Sequence, residues 1–118
     1  FMIVEMRTYV LHPGRQGEFL QLMASDGIKI ERPILGRLMG FYTSEIGTQN
    51  QVIHLWGYES FEDRQVRRSC LASDPQWMAF APKVLPLIQC MQNQILNPAS
   101  FAAPETLDWK GLNDASRP

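Results

Sequence analysis

Hydrophobic and polar positions in two stretches of this chain, residues 3–10 and 52–58, fall so that the two faces of a strand would differ in chemistry, and the two stretches predict the framework of the molecule. Side chains of a strand point alternately to its two faces. Val4, Met6, Thr8 and Val10 therefore share one side of a first strand, and Ile3, Glu5, Arg7 and Tyr9 share the other. In the later stretch Val52, His54, Trp56 and Tyr58 lie together, opposite Ile53, Leu55 and Gly57. The aliphatic row reads as plain core. The aromatic row carries an imidazole and reads as one wall of a binding pocket.

Other periods fill the space between these strands. His12-Pro13-Gly14 closes the first strand, and Phe19, Leu22, Met23 and Ile30 then make a helical stripe to about Arg32, weakened at Gly27 and ended by Pro33. Leu35 to Ile46 reads as a second strand. Its Gly36 and Gly40 suggest a bulge or a close approach, and Leu38, Gly40, Tyr42 and Ser44 share a face with open space beside Tyr42. Gly47-Thr48-Gln49-Asn50 has turn chemistry, so the second and third strands should pair as an antiparallel hairpin. Ser60-Phe61-Glu62-Asp63 opens a helix to about Ala72 with a capping box, and Asp74-Pro75 opens another that ends near Val84. Ile88 to Leu96 is the closing strand.

Strand, helix, two strands, helix, strand is the split βαβ order of an α+β, ferredoxin-like βαββαβ fold: a four-stranded antiparallel sheet with helices on one face. Periodicity does not tell which face meets the helices. The uncovered face needs a cover, and a second copy of the chain is the simplest, which predicts a homodimer. Residues 2–98 form this domain. Residues 99–118, with no clear period, are expected to be a tail that is partly disordered or docked on a partner subunit through Trp109.

Composition narrows the function by exclusion. A chain of 118 residues with 45% hydrophobic positions suffices for one compact domain. A net charge of -1 gives no general attraction to nucleic acid or to anionic membrane, and no apolar run is long enough to span a bilayer. Cys70 and Cys90 are isolated, which suits a reducing, cytoplasmic setting. His12, His54 and the cysteines lack metal-ligand spacing, and no glycine loop for phosphates or nucleophile elbow is present. No cofactor or metal is expected; haem stays open only through His54.

Glu5-x-Arg7-Thr8-Tyr9, Pro13-Gly14, Leu35-Gly36-x-x-x-Gly40, Glu45-x-Gly47, Asn50, His54-Leu55-Trp56-x-Tyr58, Arg64, Asp74-Pro75-x-Trp77 and Asn93-x-Ile95-Leu96, in that order, resemble the NIPSNAP family. The resemblance runs from about Ile3 to Phe101. It implies a dimeric α/β barrel, two ferredoxin-like subunits joined through their sheets, in a superfamily of cofactor-free monooxygenases, isomerases and haem enzymes. It implies no settled reaction. Animal members are mitochondrial and tied to vesicular transport and mitophagy signalling; the start of this chain at its first strand suggests instead a bacterial, cytoplasmic, single-domain relative.

Each candidate site residue has a bland alternative. His54 could be a general base or a hydrogen-bonded structural histidine. Tyr9, Tyr42, Trp56 and Tyr58 could line an apolar ligand pocket or fill the core. Arg7 could meet a substrate carboxylate or carbonyl, or pair with Glu5. Arg64 could add a second cation from the helix, or stay solvated. Trp77 reads first as a packing anchor. Two functions follow: a homodimeric binding or interaction module for a small apolar or aromatic ligand, or a cofactor-independent monooxygenase or isomerase with His54 as base and Arg7 stabilising charge on oxygen. Convergence of His54, Arg7 and Tyr9 on one cavity would favour the enzyme; a position at the subunit interface would count against it.

Overall fold

The structure, a computed structural model, describes residues 2–103. Its elements run β1 (Ile3–Leu11), α1 (Gln16–Leu22), a π-helical turn (Met23–Gly27), α2 (Ile28–Leu35), β2 (Arg37–Thr43), β3 (Gln51–Tyr58), α3 (Phe61–Ser73), α4 (Pro75–Val84), a 3-10 turn (Leu85–Leu87) and β4 (Ile88–Leu96). The strands form one sheet in the order β2-β3-β1-β4, with every neighbouring pair antiparallel. This is the ferredoxin-like arrangement that the order of elements predicts.

Burial settles which face meets the helices. Ile3, Glu5, Leu11, Val52, His54 and Trp56 are each at most 1% exposed, and the apolar ones among them pack against Phe19, Leu35, Leu71, Phe80 and Val84 of the helices. The aromatic row of β3 is thus the covered one. The reading of Ile53, Leu55 and Gly57 as plain core is corrected: they lie on the face opposite the helices, with Ile53 and Leu55 half-buried. Alternation had paired the right residues. It could not say which row the helices would cover.

The pairing aligns residues into rows across the covered face. Phe41, His54, Arg7 and Asn93 make one row, and Leu38, Trp56, Glu5 and Ile95 the next. A bulge between Leu38 and Gly40 flips the register of β2, so Leu38 joins the covered face while Gly40 and Tyr42 go to the other. Strict alternation would have kept all three together. Tyr42 is 56% exposed, and its own ring lies over Gly40: a Cβ there would come within 2.5 Å of that ring. The space expected beside Tyr42 is filled by Tyr42.

The long helical stretch departs from expectation in two places. Pro33 does not end it; α2 runs on to Leu35 and stops at Gly36, whose φ of 91° only glycine adopts easily. A proline within a turn of the end costs one backbone bond there, and burial of Leu35, 1% exposed, outweighs that loss. Leu35 is therefore helical rather than the first residue of a strand. Upstream, the amide of Ile28 donates to the carbonyl of Met23, five residues back, which marks a π turn.

That turn has a geometric effect. Phe19, Met23, Gly27, Glu31 and Leu35, each four residues apart, are all buried. In a straight α-helix four such steps would drift by about 160°. The extra residue of a π turn takes back about 100° of this. One row thereby faces the sheet along the whole stretch. Gly27 belongs in it because a Cβ would meet Met23 Sδ at 2.6 Å and the Phe80 ring at 3.0 Å.

The later helices start as the sequence predicts. Ser60 Oγ accepts from the amide of Asp63 at 3.0 Å, and Asp63 Oδ2 accepts from the amide of Glu59 at 3.0 Å. Asp74 Oδ2 accepts from the amide of Trp77 at 3.0 Å, with Pro75 at the first position. The expected tail from residue 99 lies, for residues 104–118 and Trp109 among them, outside the described residues.

Candidate functional site

A cavity of about 190 Å³ lies between the sheet and the helices. Its floor is Arg7 and Tyr9 of β1 and His54 of β3; Glu31 of α2, Arg68 of α3 and Trp77 of α4 stand over it. Phe19, Met23, Val84 and Ile88 supply apolar walls. Leu85 and Met91, 52% and 48% exposed, mark the side where it meets solvent. The volume lies below the roughly 300 Å³ at which sites for drug-sized ligands begin, so it suits a compound of about one ring.

His54 is held in one state. Its ring stacks on Phe41 with centroids 4.9 Å apart, and Tyr9 meets it edge-on at 5.0 Å. The indole Nε1 of Trp56 donates to His54 Nδ1 across 2.8 Å. An indole N–H only donates, so Nδ1 must offer its lone pair and the proton sits on Nε2. Burial, and then the positive charges of Arg7 and Arg68, hold the imidazole's pKa down to about 3 against a smaller upward pull from Glu5. His54 is neutral, and its Nε2–H is buried with no hydrogen-bond partner.

Behind the floor lies a carboxylate knot. Glu5 Oε2 accepts from Arg64 Nη2 at 2.8 Å, Asn93 Nδ2 at 2.9 Å and Arg7 Nη1 at 3.1 Å. Burial alone would raise the Glu5 pKa; the bonds from Arg64 and Asn93 and the charges of Arg7 and Arg64 bring it instead to about 2. Arg7 Nε also donates to the hydroxyl of Tyr9 at 3.0 Å. Arg7 and Tyr9 are thereby fixed as a unit beside His54.

Two further groups complete the polar side. Glu31 is 3% exposed, its Oε1 has no hydrogen-bond partner, and burial lifts its pKa to about 7 despite the charges of Arg68 and Arg7. Arg68 Nη1 is buried without a partner, and Arg68 makes no ion pair among the described residues.

Of the residues singled out in the sequence, His54, Arg7 and Tyr9 come together in the cavity, and Trp77 joins them. Trp56 sits behind His54 and orients it, packed in the core with Ile3, Leu35, Tyr58 and Leu71. Tyr58 belongs to that core and does not line the cavity; Arg64 is engaged at Glu5; Tyr42 is on the opposite face of the sheet. Glu31 and Arg68 were not foreseen as site residues. A signal for Glu31 existed: it is the one acid in the row Phe19, Met23, Gly27, Glu31, Leu35. Among the described residues no three metal-ligating side chains gather, Cys70 and Cys90 are free thiols, and no helix is long and apolar enough to cross a membrane.

Fold and site together define an α+β ferredoxin-like domain with a small, partly polar cavity between sheet and helices. The chain belongs to the NIPSNAP family, whose model matches residues 4–103. A NIPSNAP family protein of Agrobacterium tumefaciens is 46% identical, with a TM-score of 0.86 over 86% of this chain and 97% of that one. A NIPSNAP-like domain protein from Burkholderia xenovorans is 49% identical, with a TM-score of 0.85 over 87% and 90%. The NipSnap homolog of Dictyostelium discoideum is 32% identical over 82% of this chain and 43% of its own length. The chain spans less than half the length of the curated relatives it matches. A protein of Nitrosomonas europaea assigned as an antibiotic biosynthesis monooxygenase has a TM-score of 0.63 at 10% identity, over 86% and 94% of the two chains. That likeness is one of fold alone.

Proposed function

We propose that the chain binds one small apolar or aromatic compound bearing an oxygen acceptor, in the cavity over β1 and β3. The observation that carries this reading is the neutral, oriented and unpartnered Nε2–H of His54 at the cavity floor. A buried donor without a partner costs about 1–3 kcal/mol, a cost that a ligand carbonyl relieves on binding. The aromatic and aliphatic walls supply the remaining affinity. Acetophenone and ethylbenzene, alike in shape, test it. Wild-type protein should bind both, and His54→Phe should weaken acetophenone by about tenfold and leave ethylbenzene unchanged. Failure of both compounds to bind, or an equal effect of His54→Phe on the two, would overturn the reading.

The convergence of Arg7, Tyr9 and His54 on this one cavity also favours chemistry over passive binding. In that reading His54 donates to a developing oxyanion. It does not serve as base, since its only lone pair is taken by Trp56.

The protein acts, in the same proposal, as a homodimer joined through the uncovered sheet face. Met6, Ile53 and Leu55 are only half-buried there, and Tyr42 is exposed, a more apolar surface than a solvated sheet face normally carries. Sedimentation equilibrium should give a dimer at micromolar concentration; a clean monomer would defeat this part.

A further inference from the structure

We infer that Glu31 is the proton-transferring group of the cavity and that its substrate is a small oxo acid with an aromatic or aliphatic body, whose carboxylate meets Arg68 and whose carbonyl oxygen meets His54 Nε2–H. This rests on the small-molecule pocket proposed above and goes further in naming a substrate class, a reaction and its base.

The charge balance of the cavity identifies the anion. Three guanidinium groups, Arg7, Arg64 and Arg68, stand near two carboxyl groups: Glu5, which already holds the first two, and Glu31, which feels the charge of Arg68 but makes no ion pair with it among the described residues. Arg68 lines the cavity with a buried, unpartnered Nη1 and no ion pair among the described residues. Arg68 is half-buried, and a guanidinium with a covered, unpaired N–H and no ion pair is a ready partner for an anion. A ligand carboxylate would satisfy it.

The remaining groups divide the work of enolisation. Glu31 Oε1 is buried, unpartnered and on the cavity wall, across from the floor that carries His54. When Glu31 is ionised it takes a proton from the carbon next to the carbonyl. The C–H electron pair becomes a C=C bond, and the carbonyl π pair moves to oxygen as an enolate, held by the Nε2–H of His54. The proton on Glu31 then returns to carbon or to that oxygen, so the cycle ends as an isomerisation or keto–enol exchange and consumes no oxidant, reductant or water. Burial has raised the carboxyl to the neutral range, where an acid can both take and return a proton. The charged and titratable groups around it are Arg7 and Tyr9 from β1, His54 from β3 and Arg68 from α3; α1 and α4 present apolar side chains to the cavity.

Phenylpyruvate tests the inference, with acetophenone as the neutral comparison. Exchange of the benzylic hydrogens of phenylpyruvate in D2O, followed by NMR, should run faster with the protein than in buffer and rise with pH through neutrality. Glu31→Gln should lower the catalysed rate by about 100-fold or more while phenylpyruvate still binds, and Glu31→Asp, which keeps the carboxyl, should retain measurable exchange. Arg68→Met should weaken phenylpyruvate and leave acetophenone unaffected. Binding of both compounds without exchange above buffer overturns the reaction and leaves the pocket standing. Undiminished exchange in Glu31→Gln overturns the assignment of the base, and equal losses for both ligands in Arg68→Met overturn the carboxylate. If neither compound binds, the pocket reading itself has failed.

Discussion

The indole of Trp56 and the imidazole of His54, two residues apart on the covered face of β3, are joined by a 2.8 Å hydrogen bond that fixes which ring nitrogen carries the proton. Trp56 is thus a positioning residue for a group it does not accompany into the cavity. Trp56→Phe keeps an aromatic ring but deletes the donor and leaves a small void where the indole's second ring was. It should cost about 1–3 kcal/mol in denaturant unfolding. Nitrogen NMR of His54 should show a single Nε2–H tautomer in the wild type and a mixture in the variant; one unchanged tautomer in both would show that Trp56 does not set it.

Three buried groups give the protein a distinctive dependence on pH. Glu31, raised from 4.5 to about 7, binds more protons folded than unfolded, so it lowers stability as pH rises across that window. His54, depressed from 6.5 to about 3, does the reverse, and its contribution is lost as pH falls through that range. Each slope is about 1.4 kcal/mol per pH unit, so the two nearly cancel where the windows overlap. Below that overlap Glu5, depressed from 4.5 to about 2, adds to the acid loss. Stability should therefore plateau between about pH 4.5 and 6.5, fall on the acid side, and settle at a lower level above neutrality. In Glu31→Gln, relative to wild type, stability should gain about 3 kcal/mol between pH 4 and pH 8. Parallel unfolding curves for the two proteins at both pH values would refute this.

Glu5 holds two arginines and an asparagine on one oxygen while 0% exposed. Glu5→Gln keeps the shape but strands the two cations. A loss of about 3 kcal/mol in unfolding free energy should follow, since breaking a buried pair leaves its partner uncompensated. Arg64→Gln should cost less, because its side chain keeps 27% exposure and water can replace part of the bond at Glu5. A smaller loss for Glu5→Gln than for Arg64→Gln would contradict this ordering.

Gly27 is closely packed in the helical stretch that covers the cavity. Gly27→Ala would press on Met23 and Phe80 and should destabilise by about 1–3 kcal/mol. Met23→Ala made in the same chain should relieve much of the clash, because the closest atom is the movable thioether. Strict additivity of the two changes would argue that Gly27 is required for another reason.

Much of this arrangement was readable before any coordinates. Alternation placed Glu5, Arg7 and Tyr9 on one strand face and His54, Trp56 and Tyr58 on another, and the caps at Ser60 and Asp74 located α3 and α4. What alternation lacks is a sign, because a strand pattern is symmetric until a helix covers one side. Tyr42 was misplaced because a bulge at Met39 shifts the pleat by one residue, and the glycine that hints at a bulge does not say where the extra residue goes. Glu31 was hidden for a related reason: a spacing of four is a poor helical period, and only the π turn makes it a face. Arg64 and Arg68 stand one turn apart on α3, and nothing in the spacing tells them apart. Only the position of Glu5 decides which of them is engaged and which stays unpaired.

The π turn also marks where the chain can change length and leave this site in place. Removing one residue between Met23 and Gly27 would let the two flanking helices join as a continuous α-helix with their buried faces still in phase, because the π turn is that one extra residue. Glu31 would keep its place in the buried row and on the cavity wall. A three-nucleotide deletion could thus straighten the helix without taking the ionisable group from the pocket, and in comparing chains of this fold a one-residue gap in this segment belongs at the π turn rather than marking a lost site.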